Sequence, residues 1–141
     1  MTLLLPLRTR ADCLAAGAYA KAQANLYGWP DDQAHELELL VMELATNAVR
    51  HAKGGEYALW VNATEANVRV EDRGLGYSES VLQDGGRTDG LCATGAKPTH
   101  TLSTGGLGSG LACARRLSDK LQLENRTDGG ARALARRIRK S

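Results

Sequence analysis

The sequence predicts an α+β domain built as a two-layer sandwich, with helices packed against a β-sheet. Segments of helical and strand-like periodicity follow one another in the order helices, hairpin, long loop, helix, hairpin. A chain of 141 residues, 43% of them hydrophobic and 24% charged, is long enough for one domain with its own core. We therefore treat residues 1–141 as a single domain.

The first third of the chain predicts one strand and two helices. Residues 2–7 (TLLLPL) favour a short edge strand, because a proline is tolerated at that position of a sheet. Apolar residues recur at helical spacing over residues 11–27. A second helix is predicted from a cap at Asp31 or Asp32 to about residue 53, where two glycines end it.

The remaining chain predicts two hairpins separated by a loop and a helix. Residues 56–63 and 67–73 have strand character and would form a hairpin with its turn at Glu65 and Ala66. Residues 77–105 are rich in Gly, Ser, Thr and Asp, and a loop of that length is usually functional. The stretch GSGLACARRLSDKL has helical spacing, and LQLENRT and ARALARRI form a closing hairpin around Asp-Gly-Gly.

Composition excludes several classes of function. The net charge of +2 provides no strong field for DNA or a membrane surface. With no Phe, two Trp and four Tyr, an aromatic platform for single-stranded nucleic acid is not expected. The apolar run near the first residue is broken by Pro6 and Arg8, too early for a signal peptide or membrane span. We expect no nucleic-acid partner and no membrane association.

Cysteine usage and the basic end of the chain carry weaker signals. The three cysteines lack metal-binding spacing, and Cys13 and Cys113 lie in alanine-rich apolar patterns. They are predicted to be small buried thiols, which suits a cytoplasmic protein. Arg132, Arg136 and Arg137 belong to a basic segment that predicts a solvated strand face, with an acidic partner or phosphate contact as the alternative.

The second predicted helix contains MELATNAVRHA, in which Glu43 and Asn47 are four residues apart and share one face. Their neighbours are apolar, so burying a carboxylate and an amide there would require partners. A carboxylate beside an oxygen-donating amide suits chemistry near Mg²⁺. A solvated polar face is the structural alternative, and for His51 on the same side we expect helix-end packing.

The stretch VEDRGLG places a carboxylate at the end of a predicted strand. Asp72 is followed directly by Gly74 and Gly76, which would let a ligand approach the backbone without obstruction by Cβ atoms. The carboxylate could accept a hydrogen bond from a buried ligand amine. The alternative is an ordinary turn, since Asp and Gly are common turn residues.

The stretch TGGLGSGL carries three glycines, Gly106, Gly108 and Gly110, before a predicted helix. It lacks the Lys-Ser/Thr ending of a P-loop, and Leu111 occupies the third glycine position of the dinucleotide-binding motif. What remains is a glycine-lined helix start, whose free amides and dipole suit an anion.

Taken in order, E-x-x-x-N on a helix, D-x-G-x-G after a strand, a long loop and G-x-G-x-G-L opening a helix closely resemble the GHKL ATPase superfamily. The resemblance covers nearly the whole chain and implies the Bergerat ATP-binding fold, a mixed, mainly antiparallel sheet with helices on one face. With no dimerisation or receptor domain, the chain is similar to small anti-sigma regulatory serine/threonine kinases. GLGSGLACARRLSDKLQLENR and PDDQAHELELLVMELATNAVRHA are most similar to the stressosome switch kinases.

The resemblance implies ATP and Mg²⁺ as cofactors and assigns roles by motif. Glu43 would be the general base, Asn47 the magnesium ligand, and Asp72 the partner of the adenine amino group. Gly74 and Gly76 would shape the adenine pocket. Residues at the start of the last helix would form the triphosphate end: Gly106, Leu107, Gly108, Ser109, Gly110 and Leu111. Residues 77–105 would be the ATP lid.

The implied activity is phosphorylation of Ser or Thr on a STAS-domain protein, an anti-anti-sigma factor or stressosome scaffold, in bacterial stress and sigma-factor signalling. A PP2C-type phosphatase or a sigma factor are further implied partners, and a homodimer stays open. The alternative is a non-catalytic or weakly catalytic nucleotide-binding anti-sigma factor or phosphatase-activating switch. Two departures bear on nucleotide affinity: Ala131 stands where the family often has Thr, and the lid is long.

Overall fold

The computed structural model describes residues 3–52, 54–79, 82 and 107–140. Within them the chain forms three helices and five strands, and the predicted α+β class is confirmed. The elements, in chain order, are β1 (Leu3–Leu7), α1 (Arg10–Leu26), α2 (Asp31–Ala52), β2 (Gly55–Val61), β3 (Glu65–Asp72), α3 (Leu107–Leu117), β4 (Lys120–Asn125) and β5 (Ala131–Ile138).

The strands form one sheet in the order β1-β2-β3-β5-β4. All four pairings among these strands are antiparallel, whereas the family resemblance implied a mixed, mainly antiparallel sheet. Two hairpins, β2–β3 and β4–β5, lie side by side because β5 pairs with β3. This arrangement brings the turn of the last hairpin next to the end of β3, where Asp72 lies.

One face of the sheet forms the core, because side chains on alternate strand residues point to the same side. The register aligns a row of small and aliphatic residues across four strands, and all of them are buried: Leu59, Val68, Ala135 and Leu121. Core residues of all three helices pack with this row. Small side chains on β5 leave room for the helices to approach the sheet closely.

The helical layer is centred on α2, which packs against both α1 and α3. The α1–α2 approach is close at Gly17, where an added Cβ would lie 2.6 Å from Met42 Cγ. In the described part of the chain, no helix has the length and apolar character needed to span a bilayer.

The turn of the first hairpin differs from the prediction. Glu65 and Ala66, predicted as the turn, already belong to β3, and the chain reverses at residues 62–64. The Asn62 side chain stabilises this reversal, because its Oδ1 accepts hydrogen bonds from Thr64 N at 2.8 Å and Glu65 N at 2.9 Å. An Asn side chain that caps its own turn in this way replaces a tighter backbone turn.

The two cysteines predicted as buried thiols have different outcomes. Cys13 is a free and buried cysteine, as predicted, and its burial raises the pKa of the thiol. Cys113 is also buried, but it is disulfide-bonded, so the prediction of a free thiol there is wrong.

The basic segment divides between the two faces of the sheet. Arg132 and Arg136 lie on the face away from the helices and pair with Glu71 and Glu65, as expected for a solvated face. Arg137 points to the opposite side and is only 8% exposed. The prediction of a solvated face is therefore wrong for Arg137, because strand alternation turns its side chain towards the helices.

Candidate functional site

The orientation of α2 decides where Glu43 and Asn47 point. Met42 and Thr46 face α1: Met42 lies against Gly17, and Thr46 hydrogen-bonds with Cys13. Glu43 and Asn47 each follow these residues by one position, which is about 100° around the helix. Both side chains therefore turn away from α1, and both are partly buried.

An ion pair fixes α3 on that other side of α2. The buried Arg137 guanidinium donates to the carbonyl oxygen of Leu117 at 2.7 Å and pairs with Glu36 Oε1 near the start of α2. α3 also packs against α2. Glu36 precedes Glu43 by about two helical turns, so its contact with Arg137 lies on the face of α2 that carries Glu43 and Asn47.

Glu43 occupies a partly apolar environment on α2. The next residues, Leu44 and Ala45, are fully packed in the core. Burial raises the pKa of the Glu43 carboxyl, and the positive charge of Arg50 acts in the opposite direction. A carboxyl with a raised pKa has more affinity for a proton near neutral pH than an exposed one.

Asp72 lies at the end of β3 and is held by hydrogen bonds from two other segments. Its position continues the inward-facing alternation of β3, and it is 8% exposed. Asp72 Oδ1 accepts from Gly74 N at 2.9 Å and from Ala131 N at 3.1 Å. The carbonyl oxygen of Asp72 accepts from Arg126 Nη1 at 3.2 Å. We call these three contacts the Asp72 frame.

The segment after Asp72 is attached to the end of β4. Gly76 has φ +87°, a left-handed conformation that favours glycine. The next residue, Tyr77, donates its backbone N–H to Asn125 Oδ1 at 2.7 Å and accepts from Asn125 Nδ2 at 3.1 Å. We call this pair of hydrogen bonds the Asn125 clamp. Burial, and to a lesser degree the charge of Asp72, raise the pKa of the Tyr77 phenol.

The structure describes only part of the segments predicted to bind the triphosphate and to form the lid. Gly106 lies outside the described residues, and of the predicted lid 77–105 only residues 77–79 and 82 lie within them. Residues 107–110 form the first turn of α3, as the sequence predicts, without described side chains. Leu111 is fully buried in the core, so its side chain packs α3 against the rest of the domain.

Sequence reasoning missed the residues that hold the site together. Asn125, Arg126 and Tyr77 were not singled out, because each contacts a partner about 50 residues away and local periodicity carries no record of that contact. Arg137 had a usable signal. It continues the alternation of Ala131, Ala133 and Ala135, which places it on the inward face.

The element order and the antiparallel sheet define a domain of the α+β class. Residues 8–136 match the family described as Histidine kinase-like ATPase domain, and the chain belongs to that family. A search among curated proteins finds no match.

Two solved structures share this fold. The structure of the RsbU and RsbW domains of Rv1364c from Mycobacterium tuberculosis matches with TM-score 0.62 and 16% identity over 100% of this chain. The present chain spans 33% of that protein's length. The SiaB–SiaC complex from Pseudomonas aeruginosa matches with TM-score 0.57 and 17% identity, covering 96% of this chain and 89% of the other.

Proposed function

We propose that this protein is an ATP-dependent serine/threonine protein kinase that phosphorylates a STAS-domain partner in bacterial sigma-factor or stress signalling. The observation that carries the proposal is the arrangement of three motifs. Asp72 ends the central strand beside a turn held by hydrogen bonds, and the partly buried Glu43 and Asn47 lie on α2, which packs against the helix that starts with the glycine-rich stretch. ATP binding follows from family membership, and the kinase activity and its partner are the proposal.

The Asp72 end supports recognition of the adenine base. Both hydrogen bonds of the frame to the Asp72 side chain reach Oδ1, so this oxygen already has two donors. The other oxygen, Oδ2, would accept from the exocyclic amine of adenine. A fixed carboxylate discriminates against guanine, which presents a carbonyl oxygen at the corresponding position, because two acceptors would face each other without a proton.

The first turn of α3 and Asn47 support the proposed binding of the triphosphate. The amides in the first turn of α3, from Leu107 to Gly110, would face phosphate oxygens, because amides at a helix start generally lack acceptors within the helix. Asn47 would hold Mg²⁺ through its amide oxygen, and the ion would neutralise phosphate charge. Among the described residues, no cluster of three or more His, Cys, Asp or Glu could hold a metal. Mg²⁺ takes few protein ligands beside substrate phosphates and water.

Glu43 would act as the general base. It takes the proton of the partner's Ser or Thr hydroxyl while that oxygen bonds to the γ-phosphorus and the bond to the β-phosphate oxygen breaks, releasing ADP. Its raised pKa supports this role, because a base is most effective when its pKa approaches the working pH. Positioning and charge neutralisation supply most of the remaining rate enhancement.

Partner binding is supported by the relatives. SiaB is seen in a complex with SiaC, and an RsbW domain occurs with an RsbU domain in one protein. A protein substrate therefore suits this chain better than a small molecule. Phosphate transfer to a hydroxyl group of a STAS-domain protein is the part of the proposal that the following experiment tests.

The test is phosphate transfer from γ-labelled Mg-ATP to a panel of purified STAS-domain proteins. We expect transfer by the wild type and a loss of at least about 100-fold in Glu43→Gln, since general bases contribute factors of that size. ATP affinity should stay within about threefold. The matched control is Glu56→Gln, which changes an exposed glutamate on β2 and should leave transfer unchanged.

If the wild type binds ATP and a STAS protein but transfers no phosphate, the kinase proposal is wrong. Retention of a sigma factor or of a PP2C-type phosphatase in the same binding assay would then favour the non-catalytic regulator. Equal transfer by wild type and Glu43→Gln would instead remove the general-base role from Glu43.

A further inference from the structure

We propose that Asn125 is a positioning residue for nucleobase selection, acting through Tyr77 and the turn after Asp72. The inference rests on the proposed nucleotide site and deepens it. Asn125 lies at the end of β4, opposite Ala131 in the β4–β5 pairing, and Ala131 is the residue whose backbone N–H donates to Asp72. The last hairpin therefore contacts residues 72–77, which we call the base end of the site, at two points: through the Asn125 clamp and through the Asp72 frame.

The geometry of the clamp makes Asn125 hard to replace. Its side-chain amide satisfies both the N–H and the C=O of Tyr77, at 2.7 and 3.1 Å, as an adjacent strand would. Such a reciprocal pair requires one donor and one acceptor at fixed separation, which Asn supplies. Asp keeps the acceptor but loses the donor, and Leu keeps the shape and loses both.

At two positions beside these contacts, a side chain larger than glycine would clash. A Cβ at Gly76 would lie 2.6 Å from Asn125 Oδ1, and a Cβ at Gly130 would lie 1.9 Å from the carbonyl oxygen of Asp72. Both glycines also have positive φ, +87° and +95°. The last hairpin and the turn after β3 therefore pack at backbone-to-backbone distance, with the clamp and the frame as their polar contacts.

The clamp holds the base end of the site in place independently of any contact with phosphate. Tyr77 follows Gly76 directly, and its partly buried ring packs on the core. Holding the Tyr77 backbone fixes the path of residues 73–76, and Gly74 N within that path is one of the two donors to Asp72 Oδ1. Without the clamp, the direction of the Asp72 carboxylate becomes less defined.

The test combines nucleotide affinity with amide exchange in the full chain. We expect Asn125→Leu to weaken AMP, ADP and ATP by the same factor, about three- to tenfold, the usual effect of a lost hydrogen-bond pair. Affinity for GTP should fall less than affinity for ATP, so the ATP/GTP preference narrows. A general loss of stability would instead weaken both nucleotides alike. Asn67→Leu, on the outer face of β3, is the matched control.

The exchange of the Tyr77 amide is read without nucleotide. It should become faster in Asn125→Leu and stay protected in Asn125→Asp, which keeps the acceptor. If the wild type binds no nucleotide, the proposed function fails, whereas the exchange rates still report on the clamp. If Asn125→Leu leaves the ATP/GTP ratio unchanged, or Tyr77 exchange is equal in all variants, the positioning role is wrong.

Discussion

The two ends of the candidate site are built by different kinds of interaction. At the base end, Asp72 is held by donors from Gly74, Ala131 and Arg126, all of them hydrogen bonds at defined distances. At the other end, which we call the helix end, Glu43 and Asn47 are held by the packing of α2, and the positive charge of Arg50 acts on Glu43. The first end depends on backbone geometry, and the second depends on burial and charge.

The difference predicts which substitutions each end tolerates. A hydrogen-bonded turn should be disturbed by a single added methyl group, because its backbone segments are in direct contact. A helix surface should accept a change of side-chain shape but respond to a change of charge, since partly buried charges are costly. Three pairs of variants test this contrast, beginning with the largest expected effect.

The largest effect is expected at Gly130. Gly130→Ala should cost about 3 kcal/mol or more of unfolding free energy, because its Cβ would meet the Asp72 carbonyl and its φ is +95°. Gly129→Ala is the control. Its φ is +100° and nothing lies within 4 Å of an added Cβ, so only the backbone cost of about 1 kcal/mol applies. Urea unfolding measures the free energy of unfolding of both variants. Equal losses would show that the backbone around Asp72 can shift to accept the added methyl group.

The next effect concerns the contact that fixes α3. Arg137→Met should cost about 2 kcal/mol, because the buried carbonyl of Leu117 loses its donor and Glu36 loses its partner. Arg136→Met changes the neighbouring residue on the exposed face and should stay within about 0.5 kcal/mol. Thermal or urea unfolding compares the two. A larger cost at Arg136 would contradict the assignment of the two faces.

The smallest effect has the opposite sign. Burial raises the pKa of Glu43 in the folded state above the ordinary value of 4.5. At pH values above the pKa that Glu43 has in the unfolded chain, the ionised carboxylate therefore disfavours folding. Glu43→Gln should therefore be more stable than wild type at pH 7–8, by less than about 1 kcal/mol. The advantage should disappear as the pH falls below 4.5, where Glu43 is protonated in both states. Urea titrations across this range test it.

Glu56→Gln, at an exposed position on β2, is the control for these unfolding measurements. A Glu43→Gln variant that is less stable than wild type at pH 8 would mean that the carboxylate has a stabilising partner. In that case the contrast between the two ends of the site would be weaker than the structure indicates.

The elements of the fold were predictable because periodicity and burial agree along the chain. The alternation in β3 and β5 marks their inward faces, and the apolar stripe of α2 marks its packing side. Glu43, Asn47 and Asp72 were found for a related reason: each is a polar residue at a defined position of a predicted element. Their roles stay predictions, since position alone does not test chemistry.

Other features were not predicted, each for a different physical reason. The Asn125 clamp joins residues 48 positions apart, and neither residue has an unusual local pattern. The turn at Asn62 was placed too late because its capping side chain precedes the turn that it stabilises. Cys113 lies in an apolar pattern that describes burial correctly but contains no information about disulfide bonding.

The bond from Ala131 N to Asp72 Oδ1 has a consequence for synthesis, because it spans 59 positions of the chain. A growing chain carries Glu43, Asn47 and Asp72 well before residue 131 exists, and cannot yet hold the carboxylate in place. A ligand that binds only the native state adds stability that grows with the logarithm of its concentration above its dissociation constant. Cellular nucleotide, bound as proposed, would therefore protect finished molecules from proteolysis and leave truncated ones unprotected.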